Sequence, residues 1–162
     1  MTTEPDPHAD GLRVSLSDAF ELPLPRRAAF RLFTARGEEL WVPGWEPRFP
    51  VPATDDLEIG TVWLTRDDGG RTTTWVVLDC DTGVRVRYAR VADEWTAGTV
   101  TVGLADASEG CRVTVDYDLT ALQPDAEAEL ARFADGYPAF LGSWRQAILD
   151  HLESGGRLPD PV

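Results

Sequence analysis

The chain has 162 residues, 43% of them hydrophobic, and its 28 acidic against 15 basic residues give a net charge of −13. This composition predicts a single globular domain with a full-sized core, and the acidic surface argues against nucleic acid as a partner. No stretch is apolar enough to cross a membrane and no signal peptide is visible, so we expect a cytoplasmic protein without membrane insertion.

The first part of the chain predicts a tail, one strand and two short helices. Residues 1–10 are polar and contain two prolines, which predicts a disordered tail. Residues 12–22 alternate between apolar and polar side chains, as a strand does, with one polar break at Asp18. Residues 25–41 repeat apolar side chains at helical spacing, and Gly37 divides this segment into two short helices.

The middle of the chain predicts a loop followed by an antiparallel meander. The segment 41–50 is rich in Pro and Gly, which predicts an irregular loop that carries Trp41 and Trp45. Five strand patterns with short turns between them follow at 58–65, 72–80, 83–92, 95–105 and 111–121. We expect the first strand of the chain to pair with the last of these.

The end of the chain predicts one long amphipathic helix. It begins near Pro124, ends near Gly155 and contains Pro138, which predicts a kink at 134–138. Its apolar stripe recurs at three- and four-residue steps and consists of Leu130, Phe133, Tyr137, Phe140, Leu141, Trp144, Ile148 and Leu152. We expect residues 157–162 to form a loose tail.

This order of elements, together with the local sequences at 20–33, 40–45, 60–63 and 74–77, resembles the START-like (SRPBCC) helix-grip superfamily, in its polyketide cyclase/dehydrase-like branch. The resemblance covers about residues 12–153. It implies an α+β fold in which a curved six-stranded antiparallel sheet wraps around a long C-terminal helix, with two short helices after the first strand. We therefore expect one helix-grip domain over residues 11–156.

A helix laid across a curved sheet tends to leave a cavity, and that cavity is the predicted ligand site. The alternative for most aromatic candidates is a purely structural place in the core, and Trp41 and Trp45 could plug one end of it. The candidate ligand-binding residues are Trp41, Trp45, Trp75, Tyr88, Arg90, Tyr117, Phe133, Tyr137, Phe140, Leu141 and Trp144.

Three residues are candidates for catalysis: Arg90, Tyr88 and Asp18. Arg90 shares strand parity with Tyr88 and could hold a carboxylate or enolate, or it could lie in a structural ion pair or reach solvent. Asp18 shares parity with apolar neighbours and could act as a general acid or base. The alternatives for Asp18 are a bulge that turns it outward or a bond to a neighbouring backbone N–H.

The residue inventory excludes several chemistries. All 15 basic residues are Arg, so there is no lysine for a Schiff base or a Walker-type phosphate site. Two histidines, His8 and His151, make a catalytic triad or a histidine-rich metal site improbable, and we expect neither metal nor cofactor. Cys80 and Cys111 fall on separate strands that we expect not to be neighbours, which predicts free thiols.

Three functions fit these expectations. The first is binding of a small hydrophobic or aromatic molecule by a monomer or homodimer that serves as carrier, sensor or biosynthetic accessory protein. The second is a metal-independent enzyme of the polyketide cyclase/aromatase type, and the third is a co-chaperone-like interaction module. A cavity that holds Asp18, Tyr88 and Arg90 together would favour the enzyme, a wholly apolar cavity the carrier, and an interior filled by tryptophans the interaction module.

Overall fold

A computed structural model describes residues 11–162, and the tail predicted at 1–10 lies outside the described residues. One antiparallel sheet holds six strands in the order β1-β6-β5-β4-β3-β2. The strands are β1 (Arg13–Leu22), β2 (Val62–Arg66), β3 (Thr72–Asp81), β4 (Arg85–Ala92), β5 (Thr96–Ala107) and β6 (Gly110–Ala121). The predicted meander and the predicted pairing of the first strand with the last are both confirmed.

Three helices accompany the sheet. Helix α1 (Arg26–Phe30) follows β1 and continues into two 3-10 turns, Arg31–Phe33 and Gly37–Leu40, so the two short helical segments predicted around Gly37 are present. Helices α2 (Pro124–Asp135) and α3 (Tyr137–Glu153) replace the single kinked helix that the sequence predicted.

The chain is interrupted between α2 and α3 at Gly136. This residue leaves helical geometry, with φ −93° and ψ 9°, and its N–H donates to the Arg132 carbonyl while its own carbonyl accepts the N–H of Phe140. Pro138 therefore stands in the first turn of a new helix, where a residue without an N–H costs no hydrogen bond. The expectation of one long helix was wrong, although the position of the bend was right.

Helix α3 packs on β1, and α2 packs on β1 and β6. The stripe predicted for one helix continues across the break, because Leu130, Tyr137, Leu141 and Ile148 are all buried. The Tyr137 hydroxyl donates to the Val115 carbonyl of β6 and so ties α3 to the sheet. No helix among residues 11–162 has the length and hydrophobicity that crossing a membrane requires.

The two cysteines are free thiols, as predicted. Cys80 lies on β3 and Cys111 on β6, and two strands separate them in the sheet. Burial raises the pKa of both thiols, which keeps them protonated and weakly reactive.

Residues 157–162, expected to form a loose tail, contain neither helix nor strand. Leu158 and Val162 nevertheless pack against the core, and the Val162 N–H donates to the Arg27 carbonyl at 3.3 Å. The end of the described chain thus contacts helix α1.

Gly98 in β5 provides a test of how closely β5 and β6 approach each other. A Cβ at this position would overlap with the Asp118 carbonyl oxygen of β6, so we expect Gly98→Ala to lower the free energy of unfolding by about 3 kcal/mol. Gly103 lies in the same strand with its nearest atom 4.0 Å from an added Cβ, and Gly103→Ala should leave stability unchanged or raise it by up to about 1 kcal/mol. Urea unfolding of both variants measures the difference, and equal effects would contradict the predicted clash.

Candidate ligand-binding site

A cavity of about 210 Å³ remains between the inner face of β4, β5 and β6 and the two terminal helices. The exposed side chains of Asp67 and Glu129 stand at its rim, so the cavity opens to solvent on that side. Its apolar and aromatic wall consists of Ala92, Trp95, Tyr117, Leu119, Leu130, Phe133 and Phe140.

Three aromatic rings from three elements form the inner wall. Tyr117 of β6 contacts Phe133 of α2 and Phe140 of α3 edge to face, with ring centroids 5.3 and 6.0 Å apart, and the two phenyl rings lie 5.1 Å from each other. Edge-to-face pairs are a favoured arrangement of aromatic side chains. The helix break therefore places aromatic residues of both helices on one wall.

Arg90 brings a positive charge to this cavity. It lies on β4 with the parity of Val86 and Tyr88, it is half-buried, and one of its terminal nitrogens donates to Thr96 Oγ1 at 3.1 Å. Its guanidinium also lies 5.6 Å from the ring centroid of Trp75. Within residues 11–162 it forms no ion pair, so its other N–H groups are available to a ligand.

Tyr117 supplies a second polar group. The residue is 6% exposed, and its hydroxyl makes no hydrogen bond to any other residue that the structure describes. Burial raises the pKa of this hydroxyl, and the nearby Arg90 charge opposes that effect only in part. The group therefore stays protonated and can donate to a ligand oxygen.

A group of three side chains, which we call the rim clasp, spans the opening: Arg71, Trp95 and Glu129. The Arg71 guanidinium lies 4.0 Å from the Trp95 ring centroid and donates to the Asp93 carbonyl at 3.2 Å. The Trp95 indole N–H donates to the Glu129 carboxylate. The clasp thus links the β2–β3 turn, the β4–β5 turn and helix α2.

The interior beside the Trp41/Trp45 loop is filled. The indole N–H of Trp41 donates to the Leu32 carbonyl at 2.8 Å, and that of Trp45 donates to the Ala35 carbonyl at 2.7 Å. Trp41 also packs edge to face on Trp144, with centroids 5.2 Å apart. These contacts give both tryptophans a place in the core, which was the structural alternative to a ligand-binding role.

A second aromatic cluster extends this filled region across β2, β3 and β4. Trp75 stacks on Trp63 with the planes 3° apart, and Tyr88 meets Trp63 edge to face. The Tyr88 hydroxyl donates to the Phe33 carbonyl at 2.8 Å, so it is already occupied.

Of the predicted ligand-binding residues, the structure brings Arg90, Tyr117, Phe133 and Phe140 together at the cavity. The others pack outside its wall: Trp41, Trp45, Trp75, Tyr88, Tyr137, Leu141 and Trp144.

Asp18 is not brought to the cavity. It stays in register opposite Val115 without a bulge, and its Oδ1 accepts the N–H of Ala19 at 2.8 Å. The backbone bond considered from the sequence is therefore the one that forms. Asp18, Tyr88 and Arg90 do not share one cavity, which was the arrangement expected of the enzyme.

Glu38 is a candidate that the sequence reading missed. Its carboxylate makes no hydrogen bond or ion pair within the described part of the chain, and burial raises its pKa to about 8. After burial itself, the Glu38 charge is the next cause of the raised pKa of Tyr88, and it also raises the pKa of Tyr117, although Glu38 is not among the residues that line the aromatic cavity. No signal in the sequence pointed to it, because Glu38 lies beside Glu39 in a short 3-10 turn and spacing does not separate the two.

Comparison with solved structures identifies the architecture. Norcoclaurine synthase from Thalictrum flavum matches with a TM-score of 0.63 at 10% identity, over 94% of this chain and 93% of that one. A complex of that enzyme with dopamine and hydroxybenzaldehyde matches with a TM-score of 0.62 at 10% identity, over 93% and 95%.

Two bacterial proteins show the same likeness. Protein Mll3558 from Rhizobium loti matches with a TM-score of 0.62 at 17% identity, over 85% of this chain and 99% of that one. CalU16 from Micromonospora echinospora matches with a TM-score of 0.56 at 14% identity, over 89% and 80%. No protein-family model matches the sequence, and a comparison with curated proteins gives no match either. The neighbours confirm the helix-grip fold that the sequence predicted.

The two tyrosine hydroxyls of the inner sheet face should differ in their contribution to stability. Tyr88→Phe leaves the buried Phe33 carbonyl without its donor, so we expect it to lower the free energy of unfolding by about 1–2 kcal/mol. Tyr117→Phe removes a hydroxyl that has no partner within residues 11–162, and its effect should stay below about 0.5 kcal/mol. Urea unfolding compares the two, and a larger loss for Tyr117→Phe would mean that its hydroxyl is bonded in the folded protein.

Glu38 should make stability depend on pH. Its folded pKa of about 8 lies above the ordinary value of 4.5, so the unfolded chain loses this proton first and the contribution to stability declines as pH rises from about 4.5 to 8. Glu38→Gln should therefore gain stability relative to the wild type between pH 5 and pH 9 in urea unfolding. Glu39→Gln, at the exposed neighbouring position, is the control and should show no such trend. If the stability of Glu38→Gln followed that of the wild type in parallel across this pH range, the raised pKa of Glu38 would be refuted.

Proposed function

We propose that this chain binds a small aromatic molecule bearing a carboxylate or carbonyl oxygen, in the cavity between the sheet and the terminal helices, as a carrier, sensor or biosynthetic accessory protein. The observation that carries this proposal is Arg90, a half-buried cation without an ion-pair partner in residues 11–162 on the wall of an aromatic cavity. A half-buried guanidinium with free N–H groups can form charge-assisted hydrogen bonds with a ligand oxygen.

The size of the cavity limits the ligand. A cavity of about 150 Å³ lined by apolar side chains is large enough to bind benzene. The 210 Å³ found here suits a single substituted ring, with its face against Tyr117, Phe133 and Phe140. Dopamine and hydroxybenzaldehyde, bound in the norcoclaurine synthase complex, are one-ring molecules of this kind.

We expect apolar contacts to provide most of the affinity for such a ligand, and polar contacts to set its orientation. Each Å² of apolar area removed from water contributes roughly 25 cal/mol, so the ring supplies most of the affinity. The Arg90 guanidinium and the Tyr117 hydroxyl would converge on one oxygen and set the direction in which the ring lies. A wholly apolar ligand would leave both groups without partners and bind less well.

A metal-independent enzyme of the polyketide cyclase type is the second candidate, and Glu38 favours it. A carboxyl with a pKa of about 8 can donate a proton near neutral pH, and its charge acts on the Tyr117 hydroxyl, whose pKa it raises. Native mass spectrometry of protein purified from its own host would identify a retained molecule. Recovery of that molecule unchanged after incubation supports the carrier, whereas conversion that Glu38→Gln abolishes supports the enzyme.

We place this activity in the cytoplasm, in a monomer or homodimer. The free thiols of Cys80 and Cys111 fit a reducing compartment.

The Arg90 assignment is tested by binding of one-ring aromatic carboxylates such as benzoate and hydroxybenzoates. We expect Arg90→Leu and Arg90→Gln to fold and to bind these probes about 10- to 100-fold more weakly in calorimetry, because a hydrogen bond to a charged group contributes about 1.5–3 kcal/mol. The uncharged analogue benzyl alcohol should lose much less affinity.

Arg87 provides the matched control, because it lies on the same strand with its side chain exposed. Arg87→Leu should leave binding unchanged. If Arg90→Leu lowers the stability while affinity per folded molecule stays the same, Arg90 is a structural residue and the site assignment fails.

A further inference from the structure

A second cavity, of about 370 Å³, lies where the 3-10 turns after α1 meet the C-terminal segment. It shares no lining residue with the aromatic cavity. Three arginines line it, Arg31, Arg36 and Arg157, and we call it the arginine cavity. Three cations around one cavity stand out in a chain whose net charge is −13.

Arg31 is the group that points to a missing ligand. Its Nε is buried and has no hydrogen-bond partner, and its guanidinium forms no ion pair with any residue in 11–162. An unsatisfied buried donor costs about 1–3 kcal/mol, and more where the group is charged. Because Arg31 also lines the cavity, an anion there could pair with the rest of its guanidinium and compensate the charge.

The other two arginines have exposed side chains that form no ion pair with any residue in 11–162. Arg36 donates to the carbonyls of Ala53 and Thr54, and its guanidinium lies 4.7 Å from the Phe49 ring centroid, so it has no carboxylate partner among the described residues. Arg157 lies beyond α3, where its carbonyl bonds to His151 Nε2 at 2.8 Å.

The charge of the lining decides which ligand fits. Asp56 is its single acidic member, and its Oδ2 accepts the backbone N–H of Arg36 at 3.0 Å. Three arginines and one aspartate leave the lining with a net charge of +2. That charge matches a phosphate monoester dianion, and guanidinium groups bind phosphate oxygens in pairs of parallel hydrogen bonds.

We propose that the arginine cavity binds the phosphate group of a small phosphorylated molecule. A phosphate alone would leave most of the 370 Å³ empty, so the ligand carries an organic part, which would lie against Leu40 and Leu158. The C-terminal segment supplies Arg157 and Leu158, so binding also fixes this segment against the turns after α1. This site is separate from the aromatic cavity and does not depend on the function proposed for it.

The test is calorimetric titration with inorganic phosphate and with glycerol 3-phosphate. We expect saturable 1:1 binding, tighter for glycerol 3-phosphate, and a loss of at least 10-fold in affinity in both Arg31→Gln and Arg157→Gln. Arg13→Gln is the control, since Arg13 is exposed and paired with Asp118, and it should bind like the wild type. Residue 157 lies outside every helix and strand of the described chain, so we expect Arg157→Gln to fold. This variant alone tests the proposal if Arg31→Gln does not fold.

Three results would overturn the proposal: no saturable binding by the wild type, an equal loss in Arg13→Gln, or acetate binding as tightly as phosphate. The two sites are told apart by crossing the variants. Arg90→Leu should leave phosphate binding unchanged, and Arg31→Gln should leave benzoate binding unchanged.

Discussion

The antiparallel ladder between β1 and β6 is the interaction on which the rest of the structure depends. It runs without a break from Arg13 opposite Thr120 to Leu22 opposite Cys111, and it joins segments that are about a hundred residues apart. Closing so long a loop costs entropy, which the ladder and the apolar face it creates must offset. Both terminal helices rest on this pair of strands, so the walls of the aromatic cavity exist only once the first and last strands of the chain have paired.

The interior divides into a filled half and an open half because hydrogen-bonding partners are unevenly distributed. Beside the turns after α1, backbone carbonyls of Leu32, Phe33 and Ala35 accept bonds from Trp41, Tyr88 and Trp45, and the large side chains are fixed there. Beside α2, the corresponding polar groups are the Arg90 guanidinium and the Tyr117 hydroxyl, which have few protein partners within 11–162. The open cavity and the polar groups with few partners thus lie at the same end of the interior, beside α2. This combination favours an aromatic ligand that carries a polar group.

Period-two and helical patterns predicted the strands, their order and the face on which Arg90 and Tyr117 lie, because side-chain direction follows directly from spacing. Spacing could not separate Tyr88 from Tyr117, since both point inward and only one meets a backbone carbonyl. Spacing also could not predict that the indole N–H groups of Trp41 and Trp45 donate to backbone carbonyls, which fixes both side chains in the core. The surroundings of Glu38 and the arginine cavity are formed by turns and by the C-terminal segment, which pack against the domain. Such tertiary packing leaves no pattern in the local sequence, so neither could be predicted. Pro138 correctly predicted the position of the helix bend, but the residue that leaves helical geometry is Gly136.

The rim clasp has a kinetic consequence. Arg71, Trp95 and Glu129 come from two turns and one helix, and a molecule bound in the aromatic cavity as proposed would pass the hydrogen bond between the indole and the carboxylate on leaving. If the cavity binds the ligand proposed above, breaking this contact would add to the barrier for arrival and departure alike. A substitution at Arg71 or Glu129, which stand at the opening, would then change the residence time of the ligand more than its equilibrium constant.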